Sequence, residues 1–142
     1  MKQLLLWSMV AVMMIGGMSC NAAQGKNDQS AKKVAAQNVE VYYFHFTRRC
    51  ITCKAVEAES KKALESLYPA QTKAGKITFE EINLDDESSK VLAEKLGIGG
   101  QSLLIVGGGK KIDLTSQGFM YAKSNPEKLK AEIKAAIDSL IK

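Results

Sequence analysis

Two cysteines three positions apart, Cys50 and Cys53, are the residues of this chain best suited to chemistry. In Cys50-Ile51-Thr52-Cys53 the thiols are close enough to close a disulfide, open it and pass it on, because exchange runs by thiolate attack through a mixed disulfide. The pair follows a run dense in Val, Tyr and Phe and opens a stretch of helical periodicity, so Cys50 is expected at or near a helix N-terminus. Free N–H groups and the helix macrodipole there favour an anion, which makes Cys50 the attacking thiolate. Cys53, one turn later, is placed to resolve the mixed disulfide. Arg48 and Arg49, immediately before, either support the thiolate and collect an acidic partner or are solvated loop residues.

The same motif is also half of a zinc site, which needs two further ligands. Beyond the pair the chain supplies one histidine, His45. It lies inside a predicted strand and reads as a core or sheet-face histidine, so no metal is expected. The redox-active disulfide Cys50–Cys53 is then the whole chemical equipment, with no separate cofactor.

The third cysteine, Cys20, belongs to a different reading. Residues 1–19 carry Lys2, then an apolar run from Leu4 to Met18, then small residues, the pattern of a signal peptide. Gly17-Met18-Ser19-Cys20 resembles a bacterial lipobox, with Gly17 where an aliphatic residue usually stands. Cys20-Asn21-Ala22 also suits ordinary signal-peptidase cleavage after Ala22, which would discard Cys20. The expectation is an exported protein, periplasmic or a membrane-anchored lipoprotein of a bacterium through Cys20. Residues 20–38, rich in Ala, Gln, Lys and Asn, read as a polar linker. Residues 39–142 then form a single domain with two thiols. A C-x-x-C loop is too small to cross-link a fold, so an oxidising compartment points to redox work rather than stapling.

The 142 residues carry a net charge of +5, with 46% apolar and 25% charged. That composition excludes wholesale disorder. The basic excess is spread over helical stretches such as Lys61-Lys62 and Lys128 to Lys134, without interleaved aromatics. It reads as solvated helix surface, and no nucleic-acid partner is expected.

Several elements must position the cysteines. Val39 to Phe46 reads as a buried strand. Cys53, Val56, Ala63, Leu64 and Leu67 mark an amphipathic helix stopped by Pro69. Ile77 to Leu84 is a second strand, ending in the acidic turn Asp85-Asp86-Glu87-Ser88, whose side chains suit capping of a helix Ser89 to Leu96. Leu103 to Val106, Gly107-Gly108-Gly109 and Lys111 to Leu114 read as a hairpin. Asn125 as cap and Pro126 at the first helical position start a last helix with the stripe Leu129, Ile133, Ile137, Leu140. The order β-α-β-α-β-β-α implies one parallel pair through a right-handed crossover and one antiparallel pair. The fold class is therefore α/β, a central mixed sheet flanked by helices.

With those elements in place, the stretch Tyr43 to Lys54 resembles the strand, active-site loop and helix start of the thioredoxin family. Ile82-Asn83-Leu84-Asp85 is similar to the end of the family's next strand. Leu96-Gly97-Ile98-Gly99-Gly100 is similar to the glycine-containing approach to the one after. The resemblance covers roughly Val39 to Ile141. It implies a thioredoxin-like fold, with Cys50 as exposed nucleophile and Cys53 as the more buried resolving thiol. It also implies that Arg48, Arg49, Ile51, Thr52, Lys54, Gln101 and Ser102 form the substrate groove or support the thiolate.

Three positions depart from the family. Ile51-Thr52 is neither Gly-Pro, as in thioredoxin, nor the Gly-His or Pro-His of isomerases and strong oxidants. Phe44 stands where thioredoxins carry a buried acid, and Ser102 where they carry a cis-proline. A cis bond before a residue other than proline costs about 2.5–4 kcal/mol, so the Gln101–Ser102 peptide is expected to be trans. The Ser102 hydroxyl would then be free to bond the thiolate or a bound peptide.

The expected activity is thiol–disulfide oxidoreduction on exported protein thiols and disulfides, by a monomer recycled by a redox partner protein. Two rivals stay open: a redox-inert binding module on the same scaffold, and a dimer that holds a metal or iron–sulfur group through the same cysteines.

Overall fold

The computed structural model describes residues 38–142. The stretches expected to be a signal peptide (1–19) and a linker (up to residue 37), and Cys20, the expected site of lipidation, lie outside the described residues. The sheet is four-stranded, in the order β2-β1-β3-β4, built from β1 (Val39–His45), β2 (Ile77–Asn83), β3 (Ser102–Gly107) and β4 (Lys110–Asp113). β1 runs parallel to β2 and antiparallel to β3, and β3 pairs antiparallel with β4. The protein is thus α/β with a mixed sheet and helices on both faces.

Central position explains the composition of β1. Six of its seven residues are buried, as a strand covered on both faces must be, so it reads as a continuous apolar run rather than an alternation. Successive side chains still point to opposite faces. Val39, Val41 and Tyr43 join one core with Leu103, Ile105, Leu64, Ile133 and Ile137, while Tyr42 and Phe44 join a second with Leu104 and Ala93.

The first core lies under three helices, α1 (Ile51–Leu67), α4 (Thr115–Tyr121) and α5 (Pro126–Leu140), and the second under α3 (Lys90–Leu96). α1 buries Cys53, Val56, Ser60, Ala63 and Leu64, and α5 buries Leu129, Ile133, Ala136, Ile137 and Leu140. Each set recurs at three- and four-residue steps, one face of a helix. Asn125 caps α5, its side chain accepting the Lys128 N–H at 3.2 Å, with Pro126 in the first turn. The Tyr68 hydroxyl, donating to Asp138 Oδ1 at 2.5 Å, ties the end of α1 to α5.

Local differences from the sequence reading have local causes. Pro69 does not simply stop α1, which ends at Leu67. It opens a five-residue helix, α2 (Pro69–Lys73), because a missing N–H costs nothing in a first turn. The 87–89 stretch is a 3₁₀ turn leading into α3, and no side chain caps either. The β3–β4 turn uses Gly108 and Gly109, both at positive φ (57° and 74°), the geometry of a tight two-residue hairpin. The Gln101–Ser102 peptide is trans.

α4 is absent from the sequence reading. A central glycine argues against a helix, yet Gly118 is what lets α4 close on α1: a Cβ there would lie 3.1 Å from Val56 Cγ1 and 3.4 Å from Leu103 Cδ2. Val56 is fully buried and, being β-branched, has little rotamer freedom with which to yield. Gly118→Ala is therefore expected to destabilise by about 1–3 kcal/mol despite the gain in helix propensity. Val56→Ala in the same chain should relieve part of that loss, so that the double substitution costs less than the sum of the singles in urea unfolding.

Candidate functional site

β1 and β2 finish side by side, His45 opposite Asn83, and β3 starts beside them with Ser102 opposite Phe44. The chain leaves β1 at this end of the sheet, crosses residues 46–50 and enters α1. Side chains on β2 and just beyond hold that loop down. Thr47 N–H donates to Asp85 Oδ2 at 2.7 Å, Asn83 Nδ2 donates to Thr47 Oγ1 at 3.0 Å, and Leu84 N–H donates to the His45 carbonyl at 2.7 Å. His45 is buried, its Nδ1–H donating to the Phe46 carbonyl at 3.0 Å. A carbonyl can only accept, so this contact needs a proton on Nδ1. Asp85, which the sequence suggests as a helix cap, instead anchors the cysteine loop.

Cys50 is the N-cap of α1. Its backbone is extended (φ −76°, ψ 168°), and its Sγ accepts the Cys53 N–H at 3.2 Å. A sulfur thus fills the place of the usual Ser or Asp oxygen. Both cysteines are free thiols, Cys50 exposed and Cys53 only 3% exposed. The Cys50 thiol is held below its ordinary pKa, first by the Cys53 side chain, next by the Cys53 N–H, and then by the N–H groups of Thr52 and Cys50 itself, with burial opposing. The N–H groups among these are the unpaired backbone donors of the first helical turn.

The arginines are not among those causes. Arg49 forms an ion pair with Glu57 on α1, and Arg48 is exposed. Ile51, 74% exposed at the first helical position, presents an apolar side chain beside the thiol. Thr52 is half-buried and Lys54 exposed.

Gln101 and Ser102 reach the site from the start of β3. The Cys53 thiol donates to Gln101 Oε1 at 3.5 Å, whereas the Ser102 hydroxyl donates to the Gly100 carbonyl at 3.1 Å. Of this pair it is therefore Gln101 that touches a cysteine; Ser102 shapes its own turn.

Tyr43 is the residue that sequence comparison passes over. Counting back from Cys50 selects Phe44 as the counterpart of the family's buried acid, but Phe44 packs on the α3 face with Tyr42, Ala93 and Leu104. Tyr43 lies on the α1 face, fully buried, and its hydroxyl has no hydrogen-bond partner among the described residues. An unsatisfied buried hydroxyl costs about 1–3 kcal/mol. Burial raises the Tyr43 phenol pKa, the Cys53 and Cys50 sulfurs raise it further, and Arg49 opposes them. A signal for this was present: Tyr at a core-facing strand position brings a polar tip that needs a partner.

On the α3 side of the loop, Phe46, Leu84, Ala93, Ile98 and Gly99, with Ser89, Lys90 and Glu94, line a cavity of about 320 Å³. None of the groove residues expected from the sequence lines it. Among the described residues no group of three or more His, Cys, Asp or Glu is gathered to hold a metal ion, and no helix is long and apolar enough to cross a membrane. Compared with models of known protein families and with curated proteins, the chain matches none.

Hydrogen bonds from the Thr47 backbone and then its side chain lower the pKa of the exposed Asp85 carboxyl. A folded-state value below the unfolded one stabilises above the unfolded carboxylate range, and the contribution is lost as pH falls through the lowered value. Asp85→Asn is expected to reduce stability at neutral pH and to approach wild type in acid. Urea unfolding across pH measures the difference. Faster hydrogen exchange at the Thr47 amide should locate it in the loop.

Proposed function

We propose that this chain is an exported thiol–disulfide oxidoreductase of thioredoxin-like fold, exchanging disulfides with protein substrates through Cys50 and Cys53. The observation that carries the reading is the asymmetry of two free thiols one helical turn apart: Cys50, exposed and acidified as the N-cap of α1, and Cys53, almost wholly buried. A sheet in the order β2-β1-β3-β4, with the cysteines where β1 feeds α1, is compatible with a thioredoxin-like layout.

In the reducing direction the Cys50 thiolate attacks a substrate disulfide, forming a Cys50–substrate bond and releasing one substrate thiolate. Cys53 then loses its proton and attacks Cys50 Sγ, closing the Cys50–Cys53 disulfide and expelling the second. Two electrons pass to the substrate, and a redox partner protein returns them. The oxidising direction is the same sequence reversed. Exposed Ile51 and the loop around Phe46 offer apolar contact to a polypeptide substrate.

In the reduced protein Cys50 is expected to be alkylated rapidly at mildly acidic pH and Cys53 slowly. Cys50→Ser should abolish exchange, and Cys53→Ser should accumulate a mixed disulfide. Dithiothreitol-driven insulin reduction supplies the decisive number: no turnover above background by a correctly folded chain removes the oxidoreductase reading and leaves the binding module.

Export with lipidation of Cys20 is part of the same proposal. Mass spectrometry of the membrane-extracted protein should find an acylated Cys20 as the first residue, and an intact Met1 would refute it.

A further inference from the structure

We propose that the buried Tyr43 hydroxyl is the hydrogen-bond donor that stabilises the Cys53 thiolate when the resolving cysteine gives up its proton. The inference deepens the oxidoreductase reading, and its consequence for exchange rests on that reading.

Position comes first. Tyr43 lies on the α1 face of β1, two residues before the strand ends at His45 and the loop that carries the cysteines begins, and it is completely buried. Its hydroxyl is unpartnered among the described residues. Cys53 is a buried residue of α1, on the helix that covers this face of the sheet. Both sulfurs act on the Tyr43 phenol through their charge, Cys53 more than Cys50. The other charged or titratable groups around it are Arg49, held by Glu57, and His45, whose ring centroid is 5.9 Å away.

Cys53 needs different partners in its two protonation states. As a thiol it is a donor, and Gln101 Oε1 accepts from it at 3.5 Å. As a thiolate it can only accept, so that contact turns unfavourable and a donor is required. Tyr43 supplies one. With burial as the leading cause, its phenol is shifted above the usual range, so it keeps its proton while a thiol titrates. It therefore acts as a donor rather than a base.

The balance of the resolving step follows. The Cys53 proton leaves through solvent and is taken up by the departing substrate thiolate. The sulfur left behind accepts the Tyr43 O–H and then attacks Cys50 Sγ. The Cys50–Cys53 bond forms, the Cys50–substrate bond breaks, and Tyr43 ends with the proton it began with.

The test is thiolate absorbance against pH in the full chain carrying Cys50→Ser, with and without Tyr43→Phe. The expected result is a rise of about one pKa unit at Cys53 without the hydroxyl, a tenfold smaller thiolate fraction at fixed pH. Unfolding of Tyr43→Phe should show stability at or above wild type, because an unsatisfied group has been removed. An unchanged Cys53 titration in the folded variant overturns the proposal. So does a rise seen with Gln101→Met but not with Tyr43→Phe, which would make a flipped Gln101 carboxamide the donor.

If Tyr43→Phe fails to fold, fluorotyrosine incorporation at Tyr43 keeps the question open to measurement. Its fluorine NMR shift must follow the Cys53 titration, and a shift insensitive to that titration is equally fatal. Neither measurement needs exchange activity. A shifted titration with no insulin turnover would retain the donor and discard the oxidoreductase; normal turnover with an unshifted titration would do the reverse.

Discussion

The alternation of side chains across one fully covered strand governs the rest of the structure. β1 is hydrogen-bonded on both edges and packed on both faces, so each of its residues has its direction set by register with β2 and β3. Sliding the strand by one residue would exchange the two cores and send Tyr43 to the α3 side. The same register sets where β1 ends, hence where the loop begins and which sulfur caps α1. The chemistry at Cys50 is in this sense an end effect of a strand.

The loop between them is held from the strand side rather than by its own packing. Asp85, Asn83 and the Leu84 N–H reach across from the end of β2 to Thr47 and His45. They fix the approach to α1 while leaving the Cys50 sulfur in solvent. Arg49 adds a second hold by pairing with Glu57 on α1. Cationic side chains next to a cysteine invite an electrostatic explanation of its acidity, but here the Cys53 side chain leads and the backbone donors of one helical turn add to it.

The local signals in the sequence were legible because each rests on nearby residues. The dense apolar run of β1, the glycine turn and the Asn125-Pro126 start all appear where their side chains and dihedrals call for them. Cys50 at a helix start is legible for the same reason, since a cap and its donor lie three residues apart. What escaped depends on partners distant in the chain. α4 hides behind Gly118, whose value comes from Val56, 62 positions earlier. Asp85 serves a loop 38 positions back, and Gln101 meets a cysteine 48 positions back. Tyr43 was hidden by counting: the offset from Cys50 draws the eye to Phe44, which packs on the α3 face, while its neighbour Tyr43 faces α1.

The cap on α1 also couples folding to redox state. Closing Cys50 onto Cys53 encloses only two intervening residues, so the cross-link restricts the unfolded chain far less than a long-loop disulfide would. The bonds that the Cys50 thiolate receives from the first turn exist only when the protein is both folded and reduced. Around the cycle linking the four states, whatever those bonds contribute to the folded reduced form is subtracted from the folded disulfide. The fold itself is thus a reservoir of electron affinity: tightening the helix N-terminus makes the native chain a stronger oxidant than the same two cysteines in a random coil.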